Sequence, residues 1–460
     1  MELKPSSCLP VAVVGGGVTG LAAAYTLQRL GKRVRLFETS TRLGGAVQTE
    51  FTDDGWCVET GPTSLLLSDP QVRGLLDELG LADKIVPASP AAKNRYVVRG
   101  GRAVPLPTSP GALLTTPLFS WRARFRLVRE LMTRPRRRST DLSLAKMMEA
   151  HFGQELVDYA VQPFTSGVYA GDATKLSAKY AFPSLWAHEQ SHGSIVRGQM
   201  AAARARRVRG EGRPGIVSFA RGLQTIPDAL AATLPPETVE TRAHVEAAIY
   251  DGTWKLVWRR DGSATTEEFS SVVLALPGHA LAKLTLNSLG ERPFASLDAV
   301  ETPPVAAMAM GYRRDRVAHP LDGFGLLAPA CERRGILGAI FSSTVFPGRT
   351  PAGCVSFTVM LGGALQPEMA LLSPAKARAL AEAELSTLLG VDGPALFFRH
   401  RLWARAIPQY QLGHERTLET IERAENAYPR LFVGGQIRDG ISLSSCLASG
   451  LRLGRESSDF

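Results

Sequence analysis

Cysteine is scarce in this 460-residue chain: Cys8, Cys57, Cys331, Cys354 and Cys446 are five in number, widely spread and without a CxxC pair. That spacing argues against a disulfide framework or a cysteine-rich zinc site, and reduced thiols fit best. No stretch approaches the roughly 18 uninterrupted apolar residues of a spanning helix, so any membrane contact is expected to be peripheral. Met1 to Pro10 has neither the basic start nor the apolar centre of a secretory signal, and the expected location is cytoplasmic. Acidic residues are outnumbered 43 to 53 by Lys and Arg, for a formal charge of +10. The excess falls in two clusters, Arg122, Arg124, Arg126, Arg129, Arg134, Arg136, Arg137 and Arg138, then Arg197, Arg204, Arg206, Arg207, Arg209 and Arg213. An anionic partner follows: phospholipid, nucleic acid or a carboxylate-bearing substrate. With 45% hydrophobic and 21% charged residues the composition is globular, and the length suits two or three domains.

The apolar run Val11 to Val14 reads as a strand, Gly15-Gly16-Gly17-Val18-Thr19-Gly20 as a turn, and Leu21 to Leu30 as a helix closed by Gly31. Arg33 to Phe37 is a second strand ending at Glu38. In Gly15-x-Gly17-x-x-Gly20 the first glycine permits the tight turn, the second lets a pyrophosphate approach the backbone, and the third lets helix and strand pack closely. Val18 and Thr19 open the helix whose N-terminus faces the phosphates. Glu38 has the spacing of a carboxylate that accepts from an adenosine ribose, which disfavours NADP.

Further along, Gly215 to Leu234 reads as a loop feeding a helix, and His244 to Tyr250 with Trp254 to Trp258 as a hairpin turning at Asp251-Gly252. Val272 to Leu276 reads as a buried strand. Ala306 to Tyr312, Phe324 to Ala328, Leu337 to Ser342 and Val355 to Leu361 suggest a separate, largely antiparallel sheet. Leu431 to Gly435 returns to an apolar strand, followed by a helix from about Ser444. Thr108 to Gly212, which holds both arginine clusters, reads as a helical insertion, with a mobile loop over Ala201 to Gly215.

The glycine motif alone leaves FAD and NAD open. Arg42-Leu43-Gly44-Gly45 resembles the second fingerprint of the amine oxidase and porphyrinogen oxidase flavoproteins, and favours FAD. A narrower resemblance rests on Ala91-Ala92-Lys93-Asn94-Arg95-Tyr96, Gly167-Val168-Tyr169-Ala170-Gly171, Leu176-Ser177, Phe182-Pro183-Ser184-Leu185, Gly323-Phe324-Gly325, Val359-Met360-Leu361-Gly362-Gly363 and Ile407-Pro408-Gln409-Tyr410. With these blocks the chain resembles, nearly end to end, the oxygen-dependent protoporphyrinogen oxidases.

That resemblance implies an α/β molecule. A Rossmann-like FAD-binding domain would comprise 1–90, 213–300 and 404–460. A discontinuous substrate domain on a largely antiparallel sheet would comprise 91–107 and 301–403, and a helical membrane-facing insertion 108–212. It implies six-electron oxidation of protoporphyrinogen IX to protoporphyrin IX, with oxygen accepting the electrons and giving hydrogen peroxide. Coproporphyrinogen III, or the substrate of another amine oxidase-like flavoprotein, stands as the alternative. Cofactor contacts are expected from Gly15, Gly16, Gly17, Val18, Thr19, Gly20, Glu38, Arg42, Gly45, Ala46, Gly61, Pro62, Thr63, Ser64, Val245, Trp403, Ile441, Ser442 and Leu443.

A macrocycle edged with carboxylates needs a cation and an apolar slot. Arg95 is the expected cation, Phe324, Leu327 and Met360 the slot, and Gly167 a backbone carbonyl beside the ring. Without the resemblance, the alternative for Arg95 is a surface arginine, and the three apolar residues read first as core. No residue is assigned as general base, since the flavin carries the hard chemistry. Two positions depart from the family pattern: Thr63, where relatives carry Arg or Asn, and Ser444-Ser445 before Cys446, where Asn-Asp is usual. Partners implied are the porphyrinogen, oxygen, an anionic membrane surface, a second copy of the chain and ferrochelatase for product handover, with no nucleic acid and no metal. His188-Glu189-Gln190-Ser191-His192 matches the HExxH zinc-protease pattern. Gly193 follows at once, no downstream ligand helix is evident, and the metal reading is set aside.

Overall fold

The computed structural model describes residues 9–107, 109–132, 138–209 and 215–459; Cys8, Arg134, Arg136, Arg137 and Arg213 lie outside them. Val11–Val14 is buried throughout, as a β-branched strand covered on both faces should be. It is the centre of a five-stranded parallel sheet ordered Val239–Thr241, Val34–Glu38, Val11–Val14, Ser271–Leu274 and Leu431–Val433. The helix Val18–Arg29 follows the glycine turn, and Gly31 with φ +76° lets the chain leave it. The C-terminal helix Leu443–Glu456 lies against it so closely that a Cβ on Gly450 would fall 2.2 Å from the Thr19 carbonyl oxygen. The expected hairpin is there, His244–Tyr250 with Trp254–Arg260, and a third strand, Ser263–Phe269, completes it. Phe37 packs at a tilt against Trp258 and edge-to-face against Phe269 of this small sheet.

A second, seven-stranded sheet is ordered Phe397–Trp403, Val305–Arg313, Cys354–Gly362, Gly338–Ile340, Gly323–Leu327, Asn94–Arg99 and Arg102–Pro105. Every pairing is antiparallel except that of Gly323–Leu327 with Asn94–Arg99. Met308, Met310, Phe357, Val359 and Leu361 form a core with Ala377, Ala381, Leu385 and Leu389 of the helix Pro374–Leu389. The alternate residues of these strands point to the opposite face.

Among the described residues between 110 and 208 the main elements are the helices Trp121–Glu130, Leu144–Phe152, Gln162–Tyr169, Pro183–His192 and Ile195–Val208. Their core includes Leu144, Met147, Phe152, Val161 and Ile195. Two expectations are corrected here. Of the loop expected over Ala201 to Gly215, Ala201 to Val208 continues a helix, because its alanines and arginines are strong helix formers, and residues 210–214 lie outside the described residues. Gly215–Phe219 is a strand, held between Leu65–Leu67 and Ile85–Pro87, so pairing with distant segments overrides its local loop character. No described helix is long and apolar enough to cross a membrane.

Candidate active site

The glycine turn has the shape its spacing predicts. Gly15 has φ +108°, and a Cβ there would fall 2.4 Å from the Ala275 carbonyl oxygen. On Gly20 it would fall 1.8 Å from the Gly15 carbonyl oxygen, so helix and strand meet there in backbone contact. At Gly17 the nearest atom is Gly45 Cα at 3.9 Å, which leaves an open approach to the backbone. Gly17 is also the helix N-cap and no side chain caps it, so the helix beginning Val18-Thr19 offers its orphan amides to an anion.

The second fingerprint crosses the first. The Gly44 amide donates to the Gly16 carbonyl at 2.8 Å, and Gly17 and Gly44 form a parallel bridge. The Arg42 guanidinium braces this loop by donating to the carbonyls of Leu43, Gly45 and Val47. Burial and the neighbouring Arg401 charge lower its pKa. Glu38 accepts from the Gly16 amide at 2.8 Å and the Ser40 amide at 2.7 Å, which fixes its carboxylate at the strand end beside the turn. The Ala243 amide donates to the Glu38 carbonyl, bringing the buried Val245 to the same end of the sheet.

Ala46, Gly61 and Trp403 also converge. A Cβ on Gly61 would fall 1.9 Å from the Ala46 carbonyl oxygen, and Trp403 Nε1 donates to the Thr60 carbonyl at 2.8 Å. The chain runs on through Pro62 and Thr63 to Ser64, and Thr63 lines a small cavity with Phe324, Ile340 and Thr358. At the other end, Ser442 caps the helix Leu443–Glu456 by accepting from the Ser445 amide at 3.0 Å. Ser444-Ser445 therefore leaves that helix N-terminus capped. Ile441 packs against a buried group containing Tyr410, whose hydroxyl accepts from the Gly440 amide at 3.0 Å and donates to the Gln436 carbonyl. Burial pushes the Tyr410 pKa far up and lowers that of His414, stacked 4.0 Å away, to about 4. Neither side chain exchanges a proton readily near neutral pH.

The expected substrate residues fall into two contacts. Leu327 and Met360 both pair with Gly338, so Leu327, Gly338 and Met360 form one row across three strands, with side chains on the face away from the helix Pro374–Leu389. A Cβ on Gly338 would fall 2.4 Å from the Leu326 carbonyl oxygen, so the middle of that row is backbone in close contact. Gly167 meets it from the helical unit, since a Cβ there would fall 2.8 Å from Leu327 Cδ2. Arg95 stands exposed on Asn94–Arg99 with its guanidinium 5.4 Å from the Phe324 ring centre. Phe324, Leu327 and Met360 are each half-buried, unlike the core residues of the same sheet.

Several neighbours escaped the sequence reading. Ile340 and Thr358 pair directly and occupy the next row of the same face. Period-two alternation from Met360 points to Thr358. Met360 pairs with Ala307 and Ala307 with Arg401, so Arg401 continues the row towards Trp403, 4.8 Å above whose ring its guanidinium lies. Glu59 and Arg349 are buried beneath the cavity, 290 positions apart, and no local pattern links them.

The HExxH segment serves another purpose. Glu189 is fully buried, takes both Arg138 Nε contacts at 3.0 and 3.1 Å, and lies 2.8 Å from His151 Nε2. Among the described residues no group of three or more His, Cys, Asp and Glu is placed to hold a metal ion.

The flavin containing amine oxidoreductase family model matches residues 18–454. The chain is 32% identical to protoporphyrinogen oxidase 2, chloroplastic/mitochondrial, of Arabidopsis thaliana, covering 98% of this chain and 94% of that protein. It is also 32% identical to human protoporphyrinogen oxidase, over 96% of each. Among solved structures, a protein from Exiguobacterium assigned as a protoporphyrinogen oxidase superposes with a TM-score of 0.84 at 22% identity, over 98% of this chain and 99% of that one.

Proposed function

The chain belongs to the flavin containing amine oxidoreductases, with FAD as cofactor, and from that premise we propose that it oxidises protoporphyrinogen IX to protoporphyrin IX, with oxygen as the final acceptor. The observation that carries this reading is the pair of half-buried side chains Leu327 and Met360 on either side of the buried Gly338, with the Arg95 and Phe324 pair on the neighbouring strands. An apolar slot bordered by a guanidinium suits a flat macrocycle with carboxylate edges.

The chemistry that bound FAD would supply is acceptance of hydride equivalents and transfer of electrons to oxygen. The residues of this chain do the holding. Gly15 to Gly20 open a backbone surface to the pyrophosphate, and Glu38 offers its carboxylate to a ribose. Gly61 to Ser64 and Ile441 to Leu443 supply the loops for the isoalloxazine side. Leu327 and Met360 orient the macrocycle, Met adapting to a puckered or a flat ring. Arg95 binds a propionate; at about 4 Å and an effective dielectric near 20 the attraction is about 4 kcal/mol before desolvation.

A second substrate reading, coproporphyrinogen III with four propionates, is favoured by one observation. Arg401 continues the same row of the sheet as Met360 and offers a second cation. Supplying each reduced porphyrinogen without oxygen and following flavin bleaching separates the two. Faster bleaching by protoporphyrinogen is expected, and no bleaching by either overturns both.

The division into an FAD unit (1–90, 213–300, 404–460), a substrate unit (91–107, 301–403) and a helical unit (108–212) belongs to this proposal. So do a peripheral place on the cytoplasmic membrane, self-association and product handover to a ferrochelatase. Docking through the helix Trp121–Glu130 is supported by Trp121 and Phe125, exposed at 71% and 63% beside Arg122, Arg126 and Arg129.

A further inference from the structure

Arg349 is 4% exposed and stands between two sheets, in the loop that precedes the strand Cys354–Gly362 of the seven-stranded sheet. Its Nη2 donates to Ser218 Oγ at 2.6 Å and to the Phe219 carbonyl at 3.0 Å, both on the strand Gly215–Phe219. Its Nη1 donates to Glu59 Oε1 at 3.3 Å, and its own carbonyl accepts from the Cys57 amide at 3.0 Å. Phe346 covers the guanidinium from 4.8 Å. Glu59, 5% exposed, also accepts from Thr49 Oγ1 at 2.7 Å and the Leu223 amide at 2.9 Å. One guanidinium thus fastens the substrate sheet to the strand end from which Thr60, Gly61, Pro62 and Thr63 depart.

The pair is adjacent to both halves of the candidate site. Glu59 and Arg349 line a cavity of about 20 Å³ together with Thr63, Phe324, Ile340 and Thr358. That space holds one molecule the size of water, so the surrounding atoms are close-packed and a displaced wall is felt across it. A buried ion pair is weak evidence for stability, because well-packed apolar residues in its place are often neutral or stabilising. Its directional bonds do what apolar packing does not: they set register between two bodies of structure.

We infer that Arg349 is a positioning residue, acting through Glu59 to hold the Gly61 to Thr63 turn in register with the substrate face of the seven-stranded sheet. The inference rests on the oxidase reading only for its kinetic consequence. Its consequence for the flavin environment rests on family membership alone.

The test uses the FAD-loaded full chain with R349M, R349K, E59Q and S218A, the last removing one bond from an otherwise intact device. R349M and E59Q are expected to shift the visible circular dichroism of the flavin and weaken FAD binding about tenfold. They should also slow anaerobic bleaching at saturating porphyrinogen about tenfold, with half-saturation unchanged within twofold. R349K should recover part of each effect, S218A should show a two- to threefold slowing, and the R349M/E59Q double variant should be no worse than the worse single one. If R349M does not fold, S218A and R349K decide. A lowered melting temperature with an unchanged flavin spectrum, FAD affinity and bleaching rate overturns the inference, as does full additivity in the double variant. Should neither porphyrinogen bleach the unsubstituted protein, the substrate reading fails while the spectrum and FAD affinity still test Arg349.

Discussion

The Arg95 guanidinium lies 5.4 Å from the centre of the Phe324 ring, so the proposed carboxylate anchor and the proposed slot are one physical unit. A cation over an aromatic face is steadied by the ring quadrupole while its N–H groups stay free to bind a carboxylate. R95A is therefore expected to raise KM for protoporphyrinogen at least tenfold with kcat lowered less than threefold, because uniform binding is lost rather than transition-state contact. R95K, which keeps charge without the planar fork, should fall between. Steady-state kinetics decide it: an unchanged KM removes Arg95 from the site.

Gly17 and Gly20 separate cofactor binding from folding. A methyl on Gly17 has room in the protein, with Gly45 Cα at 3.9 Å, yet occupies the approach to the pyrophosphate. A methyl on Gly20 collides with the Gly15 carbonyl. G17A should melt within a few degrees of the unsubstituted apoprotein but bind FAD at least tenfold more weakly. G20A should lose stability as well, by a few kcal/mol on the scale of overpacked cores. Apoprotein melting curves and flavin titration measure both, and normal FAD retention by G17A would remove that glycine from the cradle.

These glycines also show what was legible beforehand. Val11 to Glu38 could be read because strand, turn, helix and acid are all local and each has its own composition signal. Leu327 and Met360 could be read only through resemblance, since apolar residues on strands look like core until the partner strands are known. Gly338, which aligns them, carries no signal of its own, and its role follows from register. Glu59 and Arg349 were not legible at all, because their contact depends on two sheets meeting. The HExxH segment shows the converse: a local helix whose metal pattern is set aside on sequence grounds, but whose Glu189 faces an imidazole and a guanidinium that sequence spacing does not reveal.

That cluster gives a pH prediction. His151 Nε2 lies 2.8 Å from Glu189, its Nδ1 lies 3.1 Å from Glu130, and Arg138 faces Glu189 from a third segment. Burial alone would lower the imidazole pKa, but contacts with the two carboxylates outweigh it and raise it above 6.5. The pKa values of Glu130 and Glu189 are lowered from 4.5 despite burial, by the His151 contacts with help from Ser194 and Arg138. The imidazolium contribution is thus complete below pH 6.5 and is lost as pH rises through the raised value. The carboxylate contribution is present above 4.5 and is lost as pH falls through the lowered values. Stabilisation should peak between about pH 4.5 and 6.5. H151Q should cost about 3–5 kcal/mol near pH 6, the range for breaking a buried pair, and less at pH 8.5. Thermal melts across that range test it; a pH-independent difference would show that folding leaves the His151 pKa unshifted, and a difference that grows with pH would show that it is lowered.

The helix Trp121–Glu130 carries the membrane proposal, and its two faces have different work. Inward, Ala123 is buried and Glu130 accepts from Ser194 Oγ and the Ile195 amide, each at 2.7 Å, so the helix is fixed to the helical unit. Outward, Trp121, Phe125 and Val128 recur at helical spacing, with Met132 beyond them, and all four are exposed. Each aromatic side chain moved from water into a bilayer interface is worth about 1.5–3 kcal/mol, and each arginine near an anionic surface about 1 kcal/mol. W121A/F125A should therefore reduce flotation with phosphatidylglycerol vesicles at least tenfold, at any ionic strength. R122Q/R126Q/R129Q should reduce it only at low salt and leave the weaker binding to phosphatidylcholine unchanged, because screening removes the charge term but not the apolar one. Equal flotation of all three proteins would show that this face does not dock on lipid. Loss of binding in W121A/F125A alone, with no dependence on lipid charge, would leave the aromatic residues as docking groups and exclude the arginines.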